Sequence, residues 1–192
     1  MQNIISLIFI VSLLSGCSAA GILYTSDPFE KVSNASYLIS VNRTLPARKF
    51  LLEVMEDINT SETKDEKLTG FTYRALGFLL SSSTYQNYRK EKDNYTTPYD
   101  GDEMRGIEFY NKATDVLVKN KFYFEASNVA WLKHISYENQ NDNFQACEQL
   151  RIAVKYNKLG LKNNPLVNAS YSEGHQSFDD EIIKHKKKLR CN

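Results

Sequence analysis

The feature that most constrains the fold is a spacing of small and bulky residues that recurs along the chain. The steps are four residues and then three, which places the members of each triplet on one face of a helix. Small residues let two helices approach closely, and the bulky residue between them fills the groove. The pattern predicts an all-α domain. Three triplets follow it: Ala47, Leu51 and Val54; Gly106, Tyr110 and Ala113; and Ala146, Leu150 and Ala153.

The helices predicted from these triplets fall into pairs. In the third pair, the first helix begins near Tyr123 and closes at Tyr137, and a polar turn containing Asn141 and Asp142 leads into the second helix. Asparagine tolerates the left-handed backbone conformation that such a turn uses. The three pairs cover about residues 30–58, 63–117 and 121–157.

This arrangement resembles the tetratricopeptide repeat, a family whose units are helix pairs with small residues at fixed positions. Ala35 lies twelve residues before Ala47, as the family's small-residue pair does, and Leu76-Gly77 matches a Leu-Gly of its first helix. The resemblance implies a stack of about three pairs that binds proteins or peptides through an extended face. A plain helical bundle, which has Ala and Leu at similar spacings, is the alternative.

The second pair departs from the family because the connection between its helices is long. Residues 81–102, SSSTYQNYRKEKDNYTTPYDGD, stand where a turn of a few residues is expected. A loop of this length in a compact domain is usually functional or disordered. We expect its tyrosines to contact a partner, since tyrosine gives contact area at low entropic cost; the alternative is that they pack back on the helices. The tyrosines are Tyr85, Tyr88, Tyr95 and Tyr99.

The C-terminal segment predicts a helix that closes the domain, at about residues 178–190. It begins with Asp179, Asp180 and Glu181 and ends in a run of Lys and Arg, the order that the helix dipole favours. An array of helix pairs needs a polar capping helix of this kind. The basic run is interpreted as a solvated helix end, with contact to anionic lipid or a partner as the alternative.

The N-terminus carries the most apolar run in the chain, from Ile4 to Leu14. Crossing a bilayer takes about 20 apolar residues, so this run is too short to span but suits a secretory signal peptide. The sequence LSGC that ends at Cys17 resembles the bacterial lipobox. The resemblance implies cleavage before Cys17, a diacylglycerol thioether on its sulfur, and, from Ser18, sorting to the outer membrane. The alternatives are an ordinary signal peptide with a chance cysteine, and a buried strand.

Export to an oxidising compartment determines the predicted domain bounds and the predicted state of the two remaining cysteines. Residues 1–16 are predicted as the lipoprotein signal peptide, residues 17–29 as the lipidated cysteine and tether, and residues 30–192 as the helical repeat domain. An oxidising compartment favours a disulfide between Cys147 and Cys191, which would join the cap to the third pair. Two unrelated thiols are the alternative.

The sequence offers no motif for catalysis. The net charge of +1 gives no field directed at nucleic acid, and no serine-hydrolase, zinc-protease or phosphate-loop motif occurs. The strongest candidate for a base, His134, lies on a predicted buried helix and is interpreted as a packing residue. Because His134, His175 and His185 are scattered and no cysteine has zinc-site spacing, neither a metal nor a cofactor is expected.

Over most of its length the chain resembles small tetratricopeptide-like lipoproteins of Gram-negative bacteria. The resemblance is carried by GCSAAGILYTSDPFEKV near the start, by QACEQLRIAVKYNK, and by an ending of SFDDE, a basic helix and Cys191. Some of these lipoproteins are immunity proteins against lipase effectors of type VI secretion. The resemblance implies an outer-membrane lipoprotein, facing the periplasm, that binds an incoming phospholipase and blocks its active site. The alternatives are a scaffold of a pilus, secretin or other envelope complex, and a lipid- or peptidoglycan-linked enzyme or carrier.

Overall fold

The computed structural model describes residues 24–91, 103–164 and 178–191. These residues are mostly helical and contain no strand, so the predicted all-α class is confirmed. Within these ranges no helix has both the length and the apolar character needed to cross a bilayer. The helices are α1 Pro28–Ser40, α2 Thr44–Thr60, α3 Glu66–Ser81, α4 Ser83–Glu91, α5 Glu103–Lys119, α6 Tyr123–Asn139, α7 Asn143–Asn163 and α8 Phe178–Leu189.

Local signals set the helix ends. Asp27, Asp65 and Asp142 cap α1, α3 and α7, because each carboxylate accepts a hydrogen bond from a backbone N–H of the first turn. Asn42 and Asn141 lie in the turns after α1 and α6, and φ is 60° at both. Asparagine adopts this left-handed conformation more readily than most residues. The first and third pairs therefore turn through the same backbone form.

The helices pack as three successive pairs, α1 with α2, α3 with α5, and α6 with α7. The first helices of the pairs are neighbours, since α3 packs against both α1 and α6, and α8 lies against α7 at the end. The predicted helix pairs and the closing helix are therefore present. Their assignment to the tetratricopeptide family stays a prediction.

Two glycines allow α3 and α5 to cross closely. A Cβ atom on Gly77 would lie 2.5 Å from the buried ring of Tyr110, which is far inside van der Waals contact. A Cβ atom on Gly106 would lie 3.2 Å from the carbonyl oxygen of Gly77 and 2.5 Å from the hydroxyl of Ser81. The small residues that the sequence placed in this pair thus bring the two helix backbones together.

The predicted loop at 81–102 is partly wrong. Helix α3 continues to Ser81, and after a single residue the chain forms α4, Ser83–Glu91, which packs against α3 and α2. The remainder of the predicted insertion lies outside the described residues, and α5 begins directly after it, at Glu103. The connection inside the second pair therefore begins as an ordered helix.

Candidate protein-binding groove and histidine cluster

The four tyrosines predicted to contact a partner have different outcomes. Tyr85 is only 1% exposed and belongs to the main hydrophobic core, so its prediction as a binding residue is wrong. Tyr88 is partly buried against the same core, with its ring 6.4 Å from that of Tyr85. The alternative, packing back on the helices, describes both residues. Tyr95, Tyr99 and the predicted lipidation residue Cys17 lie outside the described residues.

The predicted cysteine pair is joined. The Sγ atoms of Cys147 and Cys191 lie 1.94 Å apart and the Cα atoms 5.6 Å apart, a separation that disulfides require. Cys147 lies on α7, and Cys191 follows the end of α8. The bond therefore attaches the closing helix to the third pair, as the sequence predicted.

A groove lies where the first helices of the three pairs meet, and we call it the three-pair groove. Its volume is about 240 Å³, and it is open to solvent. Helices α1, α3 and α6 contribute most of the lining, with additions from the turn after α1, the start of α4 and one residue of α5. The lining residues are Ile39, Ser40, Asn42, Phe78, Ser81, Ser82, Ser83, Tyr110, Leu132, Ile135, Ser136 and Asn139.

Among the residues that the structure describes, the three-pair groove is lined by apolar side chains, hydroxyls and amides and by no charged side chain. Phe78, Leu132 and Ile135 give it apolar surface, and Ile135 is 37% exposed. Ser40, Ser82 and Ser83 are short and at least partly exposed, so they leave room for a partner's backbone while offering donors and acceptors to it. Such a surface suits an uncharged, partly apolar segment of another molecule.

Helix α4 adds its first residue, Ser83, to the wall of the three-pair groove, and three contacts hold the helix there. The ring of Tyr85 enters the core. The hydroxyl of Thr84 donates a 2.9 Å hydrogen bond to the side-chain oxygen of Asn42, in the turn after α1. The side-chain amide of Gln86 donates a 3.0 Å bond to the carbonyl oxygen of Leu80. The tyrosine first assigned to partner contact thus positions the wall instead.

A second groove, of about 340 Å³, lies beside the disulfide between α7 and α8. Phe144 is 79% exposed at its edge. Unlike the three-pair groove it is strongly charged, with Glu148, Arg151, Lys186 and Arg190 in its lining. The Glu148–Arg151 pair is already satisfied internally, since two guanidinium nitrogens donate to the carboxylate. This charged groove is a competing surface that any binding experiment needs to separate from the first.

The structure also brings together two histidines that the sequence analysis treated as scattered. His134 on α6 is fully buried, and its Nε2 lies 3.2 Å from Nδ1 of His185 on α8. Glu138, one turn after His134, places a carboxylate oxygen 3.9 Å from the same Nδ1. We call His134, Glu138 and His185 the histidine cluster. One donor atom from each residue lies within 4.8 Å of the others, so the cluster has the ligand types of a metal site.

The surroundings fix the charge state of the histidine cluster. Burial lowers the pKa of His134 from 6.5 to about 4, so this imidazole is neutral at neutral pH. The hydrogen bond from the Lys188 ammonium lowers the pKa of the Glu138 carboxyl, which is therefore ionised. His134 and Glu138 are one helical turn apart, and this spacing is visible in the sequence. The contact of His134 with His185 spans 51 residues and is not visible there.

Comparison with known proteins adds no relative: no family model, no curated protein and no solved structure matches the chain.

Proposed function

We propose that the chain is a non-enzymatic lipoprotein of the outer membrane that binds a protein partner in the periplasm through the three-pair groove. The observation that carries the proposal is the meeting of α1, α3 and α6 around an open, uncharged lining. Surfaces of stacked helix pairs commonly bind proteins in this way. The anchor rests on the resemblance of the sequence ending at Cys17 to a lipobox.

The chemistry of the groove restricts its occupant. A charged peptide end would find no counter-charge among the described lining residues, so an acidic or basic tail is disfavoured. A volume of about 240 Å³ admits a few side chains, which suits a loop tip or one helical turn of a folded partner. Apolar side chains of that segment would contact Phe78, Leu132 and Ile135. The accessible serines, Ser40, Ser82 and Ser83, would bind its backbone groups.

For the partner, we propose a secreted phospholipase effector of type VI secretion, which the chain would neutralise as an immunity protein. The sequence resemblance over most of the chain supports this assignment. Helix α4 supports it further, because it interrupts the second pair and its first residue lines the groove. A scaffold of a pilus, secretin or other envelope complex would favour a regular, uninterrupted array and is the alternative.

The first experiment identifies the partner. Residues 18–192, with the disulfide intact, are used to capture proteins from envelope and secreted extracts of the source strain, and the captured proteins are identified by mass spectrometry. We expect one lipase-like protein at one-to-one stoichiometry, and we expect its lipase activity to fall at least about tenfold when one equivalent of this chain is added at a concentration well above the Kd of the complex. Recovery of pilus, secretin or assembly components would replace immunity with the scaffold function.

The second experiment locates the surface with matched variants. Ile135→Glu places a charge in the three-pair groove, Ile183→Glu places one on an exposed position of α8, and Phe144→Ala removes the aromatic ring at the charged groove. We expect Ile135→Glu to weaken partner binding at least about tenfold, because a buried unpaired charge is costly, and the other two to change it less than about twofold. A loss confined to Phe144→Ala would move the interface to the charged groove.

A further inference from the structure

The histidine cluster has a donor arrangement that packing alone does not require. Two helices contribute to it, since His134 and Glu138 lie on α6 and His185 lies on α8. The indole of Trp131 covers both imidazoles, with ring centroids 4.4 Å from His134 and 4.8 Å from His185. The two imidazoles and the carboxylate of Glu138 thus lie close together, and Trp131 packs against both imidazoles.

The buried imidazole is oriented by its other nitrogen. Nδ1 of His134 contacts the carbonyl oxygen of Trp131 at 2.5 Å, and a carbonyl can only accept, so this nitrogen carries the proton. The proton assignment leaves Nε2 with a free lone pair that points to His185. Metal-binding histidines are held in the same way, with the non-ligating N–H donating to a backbone carbonyl or a carboxylate.

The distances suit zinc. Zinc holds imidazole nitrogens at about 2.0–2.1 Å in a tetrahedron, which places two such nitrogens about 3.3 Å apart. The observed separation of Nε2 of His134 from Nδ1 of His185 is 3.2 Å. The Glu138 oxygen lies 3.9 Å from the same Nδ1, and all three donor atoms lie within 4.8 Å of one another, so the carboxylate has to move by about 1 Å toward the two nitrogens. Larger oxygen-preferring cations such as Ca²⁺ would find one carboxylate and no carbonyl cage here.

Solvent reaches one side of the cluster, where a fourth ligand is needed. The side chains of His185 and Glu138 are 22% and 20% exposed, while His134 has no exposed surface. Water can therefore complete the tetrahedron on the open side. The ammonium of Lys188 contacts the other oxygen of Glu138. Its positive charge would repel a metal ion bound at the cluster. Lys188 is 64% exposed, so its side chain can turn into solvent.

From this geometry we propose that His134, Glu138 and His185 bind Zn²⁺, with water as the fourth ligand. Because the ligands come from α6 and α8, the ion joins the closing helix to the first helix of the third pair. The disulfide makes a separate connection, from α7 to the end of α8. The closing helix is then held at two places, by a covalent bond and by a metal. This site is independent of the partner and of the three-pair groove.

The test is a titration of the untagged, disulfide-bonded chain with Zn²⁺ alone, followed by calorimetry, and with Co²⁺ followed by visible absorption. We expect one equivalent of Zn²⁺ to bind and Co²⁺ to give the intense absorption of a four-coordinate site, which Zn²⁺ abolishes by displacement. His185→Ala is expected to weaken Zn²⁺ binding by more than about 100-fold, since losing even an outer hydrogen-bond partner costs about 10–100-fold. Lys184→Ala, on the same helix, is the matched control and should bind as the unaltered chain does.

Two further variants keep the test decisive if His185→Ala folds poorly. Glu138→Gln keeps the size of the side chain and is expected to weaken Zn²⁺ binding at least about tenfold, with Glu148→Gln as its control. Lys188→Gln removes the competing ammonium and is expected to tighten binding a few-fold, whereas Lys187→Gln should not. Absence of a saturable Zn²⁺ site in the unaltered chain, or equal affinity in His185→Ala and Glu138→Gln, would show that the cluster is a hydrogen-bonded packing contact.

Discussion

The first two helix pairs and the third pair with its closing helix solve the same packing problem by different means. In the first region, α1, α2, α3 and α4 share one continuous core, which Phe109 of α5 extends. In the second region, the cluster beneath the closing helix is much smaller, and α8 supplies to it only Ile182 and Leu189 as buried apolar residues. Specific links then join α8 to the pair, namely the disulfide, the histidine cluster and the Glu138–Lys188 ion pair.

The comparison teaches that the two regions depend on different forces. Burial of apolar surface is non-directional, and in the first region it is shared among many core residues. An ion pair does occur there, between Lys31 of α1 and Glu53 of α2, but these two helices already share the apolar core. The closing helix, by contrast, has little apolar area to bury and depends on a few bonds of fixed geometry.

The disulfide is the largest expected difference between the regions. Its removal in the double variant Cys147→Ala, Cys191→Ala opens a loop with a sequence separation of 44 residues. We expect a loss of about 2–4 kcal/mol in the free energy of unfolding. The chain-entropy model gives about 4 kcal/mol for a loop of this length. Denaturant unfolding of the oxidised chain and the variant measures it.

The location of that loss separates the two regions. Hydrogen exchange should accelerate mainly in α8 and the adjoining part of α7, while α1 to α3 keep their protection. An equal acceleration in α1 to α3 would mean that the chain opens as one unit, and the contrast drawn between the regions would then be wrong.

The close crossing of α3 and α5 is the next test, because it probes packing without a cross-link. Gly77→Ala puts a methyl group 2.5 Å from the ring of Tyr110. We expect a loss of about 1–3 kcal/mol from overpacking, despite the higher helix propensity of alanine. Thermal or denaturant unfolding measures the loss, and Glu108→Ala, at an exposed position of α5, serves as the control. A stabilised Gly77→Ala chain would show that the ring of Tyr110 moves aside freely.

How far the sequence predicted this structure depends on whether a feature is local. The helix pairs and the closing helix were predictable, because spacings of three and four residues and the turn at Asn141 and Asp142 are signals within one or two elements. Helix α4 was missed for a physical reason. Its sequence STYQNYRKE is polar, and only two rings, Tyr85 and Tyr88, pack on the core. Two tyrosines in a short polar segment give too little periodicity to indicate a helix.

The histidine cluster was missed because nothing local encodes it. His134 and His185 are 51 residues apart, and their contact depends on how α8 lies on the third pair. The cysteines could be paired by elimination once one of three was assigned to a lipid, but three histidines in 192 residues allow no such elimination. The three-pair groove was likewise beyond the sequence, since its lining comes from side chains on five helices and a turn.

Loss of a helix cap gives the smallest expected effect, and we expect that effect to be the same in both regions. Asp142 caps α7 in the second region, where its carboxylate accepts a 3.0 Å bond from the N–H of Gln145, and Asp27 caps α1 with a 2.8 Å bond from the N–H of Phe29. We expect Asp142→Ala and Asp27→Ala each to cost about 1 kcal/mol in unfolding free energy, with Asn at either position retaining most of it. The reason is that a cap satisfies one backbone group locally, whatever holds the rest of the region. A cost at Asp142 well above that at Asp27 would mean that the start of α7 is coupled to the cross-linked closing helix, and the two regions would then differ in cooperativity as well as in the forces that hold them.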